Sequence, residues 1–222
     1  MGIPKLLAAC KEGASRDIVL GRGGPGSVII IDGCFMLHRF VGDEGVAAAL
    51  LPADDVLPLA RSCIKLVRRL MDFEWAVVVV FDGASPPAKE GTRVTRRRAR
   101  DGARERLKAA TTAAERDKAT KLSVSLDEKV IARVSALVSL NCCGCQTLTA
   151  PFEADAQLVL FEQTLLETND RTFIYANDSD LIVLGARCLL WDIKSSLDQH
   201  GLLVGSIIER EMILRPPPWL LA

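Results

Sequence analysis

Three short runs, "SVIIID" (27–32), "EWAVVVVFD" (74–82) and "RTFIYANDSD" (171–180), share one design: an apolar stretch that ends in aspartate. A strand with one wet face alternates apolar and polar residues. A strand that is apolar throughout is buried on both faces, as in a parallel sheet covered by helices. The intervening sequence supplies the helices. Residues 53–73 place Val56, Leu59, Ala60, Cys63, Leu66, Val67 and Leu70 on one side of a helix. A second helical stretch covers 127–140. A third, "PFEADAQLVLFEQ" (151–163), puts Ala154, Leu158, Phe161 and Leu165 at helical spacing. "CLLWDI" (188–193) and "GLLVG" (201–205) read as further strands, and the prolines of the tail "RPPPWLLA" (215–222) end any helix begun near Ser206. Strands alternating with helices predict an α/β domain with a mainly parallel central sheet.

In such sheets ligands collect beyond the carboxyl ends of the strands. Asp32, Asp82, Asp178 and Asp180 each follow the last apolar residue of a run, so all are expected at one edge. Glu153 and Asp155, after the apolar run ending near Ala150, are expected there too. One acid in such a place is commonly a turn residue or a helix cap. Six, from three strands and a helix start, make a pattern. Carboxylates drawn together repel and raise one another's pKa unless hard cations fill the gap. Oxygen-only ligands suit Mg²⁺ or Mn²⁺ and not zinc. Two such ions, roughly 4 Å apart, can clamp the attacking and leaving oxygens of a phosphodiester.

The charge is unevenly placed. The 222 residues carry no net charge, yet residues 89–121 hold twelve Lys or Arg against five acids, a net +7 that leaves −7 elsewhere. This stretch is poor in large apolar residues and buries little, so it reads as helices standing off the sheet that hold phosphates. A solvated, charge-laced helix would look the same. Seven cysteines and no secretory leader suggest reduced thiols in cytosol or nucleus. Cys142, Cys143 and Cys145 read as small buried residues before they read as a metal site. "GRGGPGS" (21–27) precedes its strand and lacks a lysine, so it reads as a Gly-rich turn and not a phosphate loop. No apolar run is long enough to cross a bilayer.

"MGIPKLL", "IIIDG", "VVVFDGASPPAK", "APFEADAQL" and "NDSDLIVLG", in this order, resemble the flap endonuclease and exonuclease 1 family of structure-specific 5′ nucleases. The likeness runs from Met1 to about Gly185. "APFEADAQL", "DSDL" and His38 in "CFMLHR" look more like exonuclease 1 than flap endonuclease. The resemblance implies a PIN-like fold: one 5′-nuclease domain over 1–214, with an N-terminal region (1–87), a basic helical arch (88–121) and an internal region (122–214), then a tail (215–222). It implies that Asp32, Asp82, Glu153, Asp155, Asp178 and Asp180 hold two Mg²⁺ ions, directly or through water, with Mn²⁺ able to substitute. Lys89 and Arg96 match the basic pair that leans onto the scissile phosphate. Arg93, Arg97, Arg98 and Arg100 are implied phosphate contacts. His38 would stack on a base, its alternative being an ordinary core or surface histidine, and Gly2 would lie near the DNA.

The implied activity is hydrolysis of DNA at or near a free 5′ end, flap, nick or gap, in repair or replication, in the nucleus and away from membranes. The family continues into a helix–two-turn–helix element with a seventh acid, and no matching segment follows Asp180 here. That sets a second expectation beside the first: a catalytically impaired DNA-binding or scaffold protein, or a chain completed by a protein partner.

Overall fold

The computed structural model describes residues 10, 15–43, 45–53, 55–167, 171–194 and 202–211. In chain order the elements are β1 (Ser15–Val19), β2 (Ser27–Asp32), α1 (Gly33–Val41), α2 (Val46–Ala53), α3 (Leu57–Asp72), β3 (Ala76–Phe81), α4 (Glu90–Ala109), α5 (Ala113–Ser123), α6 (Glu128–Asn141), β4 (Gln146–Thr149), α7 (Ala154–Leu166), β5 (Arg171–Tyr175), α8 (Asp180–Leu184), β6 (Cys188–Ile193) and β7 (Val204–Glu209). They divide into two compact units, each built from segments distant in sequence: residues 1–32, 69–80 and 154–222 form the first, and 33–68 and 81–153 the second.

The first unit holds six strands in the order β1-β7-β6-β5-β2-β3. β3, β2, β5 and β6 run parallel, and β7 turns antiparallel to both β6 and β1. Ile29, Ile30 and Ile31 of β2 are wholly buried, as a strand covered on both faces requires. The amino end of these strands is closed by Arg171. Its guanidinium donates to the carbonyls of Leu20 at 2.6 Å and Arg22 at 2.9 Å and stacks 4.7 Å over the Trp75 ring. The Gly-rich segment is the expected turn. Gly24 and Gly26 adopt φ of +133° and +80°, and a Cβ on Gly23 would stand 2.3 Å from the Glu74 carbonyl. The unit's mixed but mainly parallel sheet agrees with the α/β expectation.

The second unit contains α1, α2, α3 up to Arg68, α4 to α6 and β4. α4 buries only Ala103, so its hold on the fold is its packing against α5. α5 starts at a reciprocal cap: the Thr112 hydroxyl accepts from the Glu115 N–H while the Glu115 carboxylate accepts from the Thr112 N–H. Asp127 caps α6 through the N–H groups of Lys129 and Val130. No helix among the described residues is long and apolar enough to cross a membrane.

Four expectations need correction. The helix expected over 53–73 is the shorter α3, preceded by a separate α2; Asp55 Oδ1 accepts the Leu57 N–H at 3.0 Å and starts the new helix. The last strand is 204–209 and not 201–205, which puts Ser206 in a strand and not at a helix start. Gly205 sits there because a Cβ would stand 2.8 Å from the Leu190 side chain. On α7 the buried stripe is Ala154, Leu158, Val159 and Glu162, with Phe161 and Leu165 only half-buried. β1, whose "SRDIV" has no apolar run, was not foreseen.

Candidate functional site

In the first unit, Ile31 of β2 pairs in parallel register with Tyr175 of β5. Both chains therefore leave the sheet at the same edge, β2 through Asp32 and β5 through the segment that carries Asp178 and Asp180. The Asp178 carboxylate accepts the Asp180 N–H at 3.0 Å, which fixes the turn into α8. α7 packs on β5 and β2. Because α7 ends at Leu166 and β5 starts at Arg171, the helix must run back along the strand, and its first turn, with Asp155, lies toward the strand's carboxyl end. Four of the six candidate acids thus belong to one edge of one unit, each part-exposed.

Glu162, two turns farther along α7, was missed in the sequence, where an acid in an amphipathic helix reads as solvent-facing. It is completely buried, seven residues after Asp155 on α7. Its carboxylate accepts the backbone N–H groups of Arg187 at 2.7 Å and Cys188 at 2.9 Å. Burial pushes its pKa up, against those two hydrogen bonds, which lower it. α7 thereby grips the chain on the far side of α8, and Gly185, at φ +113°, makes room where a Cβ would press the Gln163 side chain. No signal short of the fold identifies this contact.

In the second unit, Asp82 and Glu153 are held by a backbone junction. The Ala150 N–H donates to the Phe81 carbonyl at 2.9 Å, Gly83 N–H to Phe152 at 2.6 Å, and Ala84 N–H to Pro151 at 3.2 Å. A Cβ on Gly83 would stand 1.9 Å from the Ala150 carbonyl, so only glycine allows this approach. Asp82 is exposed. Glu153 pairs with Lys89 at 2.5 Å, where the short helical turn Pro87–Lys89 delivers the lysine.

α4 rises next, and its charges follow a pattern. Arg93, Arg104 and Lys108 are each tied to an acid three residues earlier, at 3.3, 3.2 and 2.8 Å. Arg96, Arg97, Arg98 and Arg100 between them make no salt bridge among the described residues. His38, on α1, is solvent-reached, yet its pKa is lowered by partial loss of hydration and by the guanidinium groups of Arg96 and Arg100, against the pull of Asp82. Gly2 lies outside the described residues.

All six acids offer oxygen alone, a donor set that fits a hard divalent cation in kind. Among the described residues, however, no three His, Cys, Asp or Glu side chains are grouped to hold a metal ion. Of the cysteine cluster, Cys142 and Cys145 are buried and Cys143 exposed; burial pushes the Cys145 thiol up to about 12.

No protein-family profile matches the chain. Individual relatives do. Exonuclease 1 of Drosophila melanogaster is 28% identical over 81% of this chain and 24% of its own length. Exodeoxyribonuclease 1 of Saccharomyces cerevisiae is 30% identical over 90% and 27%. Flap endonuclease 1-B of Oryza sativa subsp. indica is 29% identical over 85% and 46%. The chain spans a quarter to a half of the length of these relatives. In fold it is similar to the catalytic core of Rad2 in complex with DNA substrate, with a TM-score of 0.57 and 21% identity over 96% of this chain and 56% of that one. It is also similar to human GEN1 in complex with Holliday junction DNA, with a TM-score of 0.55 and 15% identity over 92% and 43%.

Proposed function

The chain belongs to the exonuclease 1 and flap endonuclease family of 5′ nucleases, and from that premise we propose that it hydrolyses DNA phosphodiester bonds at or near free 5′ ends. The observation that carries the proposal is the division of charge within one chain. Asp32, Asp155, Asp178 and Asp180 belong to one strand edge of the first unit, while the second unit carries Asp82, Glu153 paired with Lys89, and a helix whose central arginines make no salt bridge among the described residues.

The proposed ligands of two Mg²⁺ ions are Asp32, Asp82, Glu153, Asp155, Asp178 and Asp180, with Mn²⁺ as a working substitute. Held by these residues, such ions would supply Lewis-acid chemistry, activating water and offsetting charge developing on the phosphate. The chain's own residues do the remainder. Arg93, Arg97, Arg98 and Arg100 attract and orient the phosphate backbone, and Lys89 and Arg96 stabilise charge on the phosphate that is cut. His38 stacks on a base. Lys89 rests on Glu153, so its work on a phosphate requires that pair to open. Gly2 is proposed to lie near the DNA, and the protein to act in the nucleus, on the resemblance alone.

The test is direct. Purified protein with Mg²⁺ is incubated with 5′-labelled duplexes carrying a recessed 5′ end or a 5′ flap. Short 5′-phosphorylated products are expected. Intact substrates together with salt-sensitive binding would instead support the DNA-binding protein without turnover.

A further inference from the structure

Phe152 is the one Phe, Tyr or Trp among the described residues whose side chain is exposed, at 59%. A phenyl ring left in water forgoes one of the larger burial gains available to a chain. Its neighbours make that exposure informative. The Phe152 carbonyl is fixed by the Gly83 N–H at 2.6 Å, and Pro151, bonded through its own carbonyl to Ala84, restrains the backbone just before it. The ring therefore projects from a held point and not from a loose loop. Asp82 precedes the glycine that holds it; Glu153, paired with Lys89, follows it directly. His38, the other ring near Asp82, feels both that carboxylate and two arginines of α4. The surroundings are thus charged, while the ring itself offers a flat apolar face.

A ligand that satisfies both must carry phosphate and an uncharged π surface within a few ångströms of each other. A nucleotide does, and a bare phosphate or an acidic peptide does not. We propose that Phe152 is a nucleobase-stacking platform, seating the base beside the phosphate that Lys89 contacts. Stacking takes any base, because every base has a π face, so the platform positions the strand without reading its sequence. This inference rests on the DNA reading above and adds to it a residue that no candidate site included.

The experiment uses a duplex with a recessed 5′ end carrying 2-aminopurine at the second 5′ nucleotide. It is mixed with the protein in EDTA, so that binding is read without cutting. Anisotropy reports affinity and 2-aminopurine emission reports stacking. The wild-type protein is expected to bind and to quench. Phe152→Ala and Phe152→Leu are expected to lose the quench and about five- to 150-fold in affinity, and Phe152→Trp to keep both. The leucine variant separates stacking from mere apolar contact, and far-UV circular dichroism confirms the fold of each. Quenching and affinity unchanged in Phe152→Leu overturn the platform while leaving the DNA reading intact. Absence of wild-type binding at low salt overturns both.

Discussion

The two units answer different physical problems with different kinds of structure. The first is a sheet in which every central strand is buried, and its acids are fixed by where strands end; moving Asp32 or Asp178 would mean moving β2 or β5. The second is mostly helix, and its key groups are carried by α4, which buries a single alanine, and by a glycine-dependent backbone junction. On the proposed function, chemistry that tolerates little displacement falls on the rigid element. On the same reading, charge that must meet a long, variable anion falls on a solvent-exposed helix. The comparison teaches that substitutions of the first unit's acids should remove turnover and spare binding, and that substitutions of Arg97, Arg98 and Arg100 on α4 should weaken binding first.

The largest expected effect lies in the first unit. Asp178→Ala should lower cleavage of a 5′-recessed duplex by on the order of a thousandfold, with DNA affinity within a few fold of wild type by anisotropy. Equal loss of both would break the division. On α4, replacing Arg96, Arg97, Arg98 and Arg100 together with Gln should reduce the slope of log affinity against log salt by roughly 3 to 4. An unchanged slope would show that phosphates are held elsewhere.

Glu162 sharpens the account of how the acidic edge is held. Glu162→Ala leaves two backbone N–H groups without partners and should lower stability by about 2–4 kcal/mol in urea unfolding. Its pH dependence has a definite sign. Burial raises the folded pKa above the ordinary 4.5, so between those two values the folded protein holds the proton and the unfolded chain has released it. Stability contributed by this group is therefore full at lower pH and lost as pH rises through the folded value. Glu162→Gln should flatten that slope. The smallest effect is expected at Thr172 on β5, whose buried hydroxyl has no hydrogen-bond partner among the described residues. Thr172→Val should raise stability by about 1 kcal/mol without altering cleavage.

The strands that matter were legible because burial on both faces leaves an uninterrupted apolar run in "SVIIID", "AVVVVF" and "RTFIY". The shared edge of Asp32, Asp178 and Asp180 was legible because strand direction fixes where a run ends. What escaped was set by contacts between distant segments. β1 pairs only through β7, and its side-chain pattern carries no strand period. β7 runs through Gly205 and Ser206, residues that read as breaks in sequence; Gly205 is required here by the close approach of Leu190 and the Asp192 carbonyl. Glu162 is indistinguishable from a surface acid until Arg187 and Cys188 are brought to it. The helix expected over 53–73 started too early because Val56, buried just ahead of α3, fits the apolar stripe of the helix although the helix itself begins at Leu57.

The central claim is that the carboxylates of the first unit hold divalent ions while the arginines of the second do not contribute to that affinity. Titrating Mn²⁺ into the protein without DNA, with free Mn²⁺ read by electron paramagnetic resonance, tests it most directly. The account predicts that wild type binds, that Asp178→Ala weakens binding by about tenfold or more, and that the four-arginine variant binds as wild type does. No bound Mn²⁺ at millimolar concentration, or an affinity indifferent to Asp178→Ala, would contradict it.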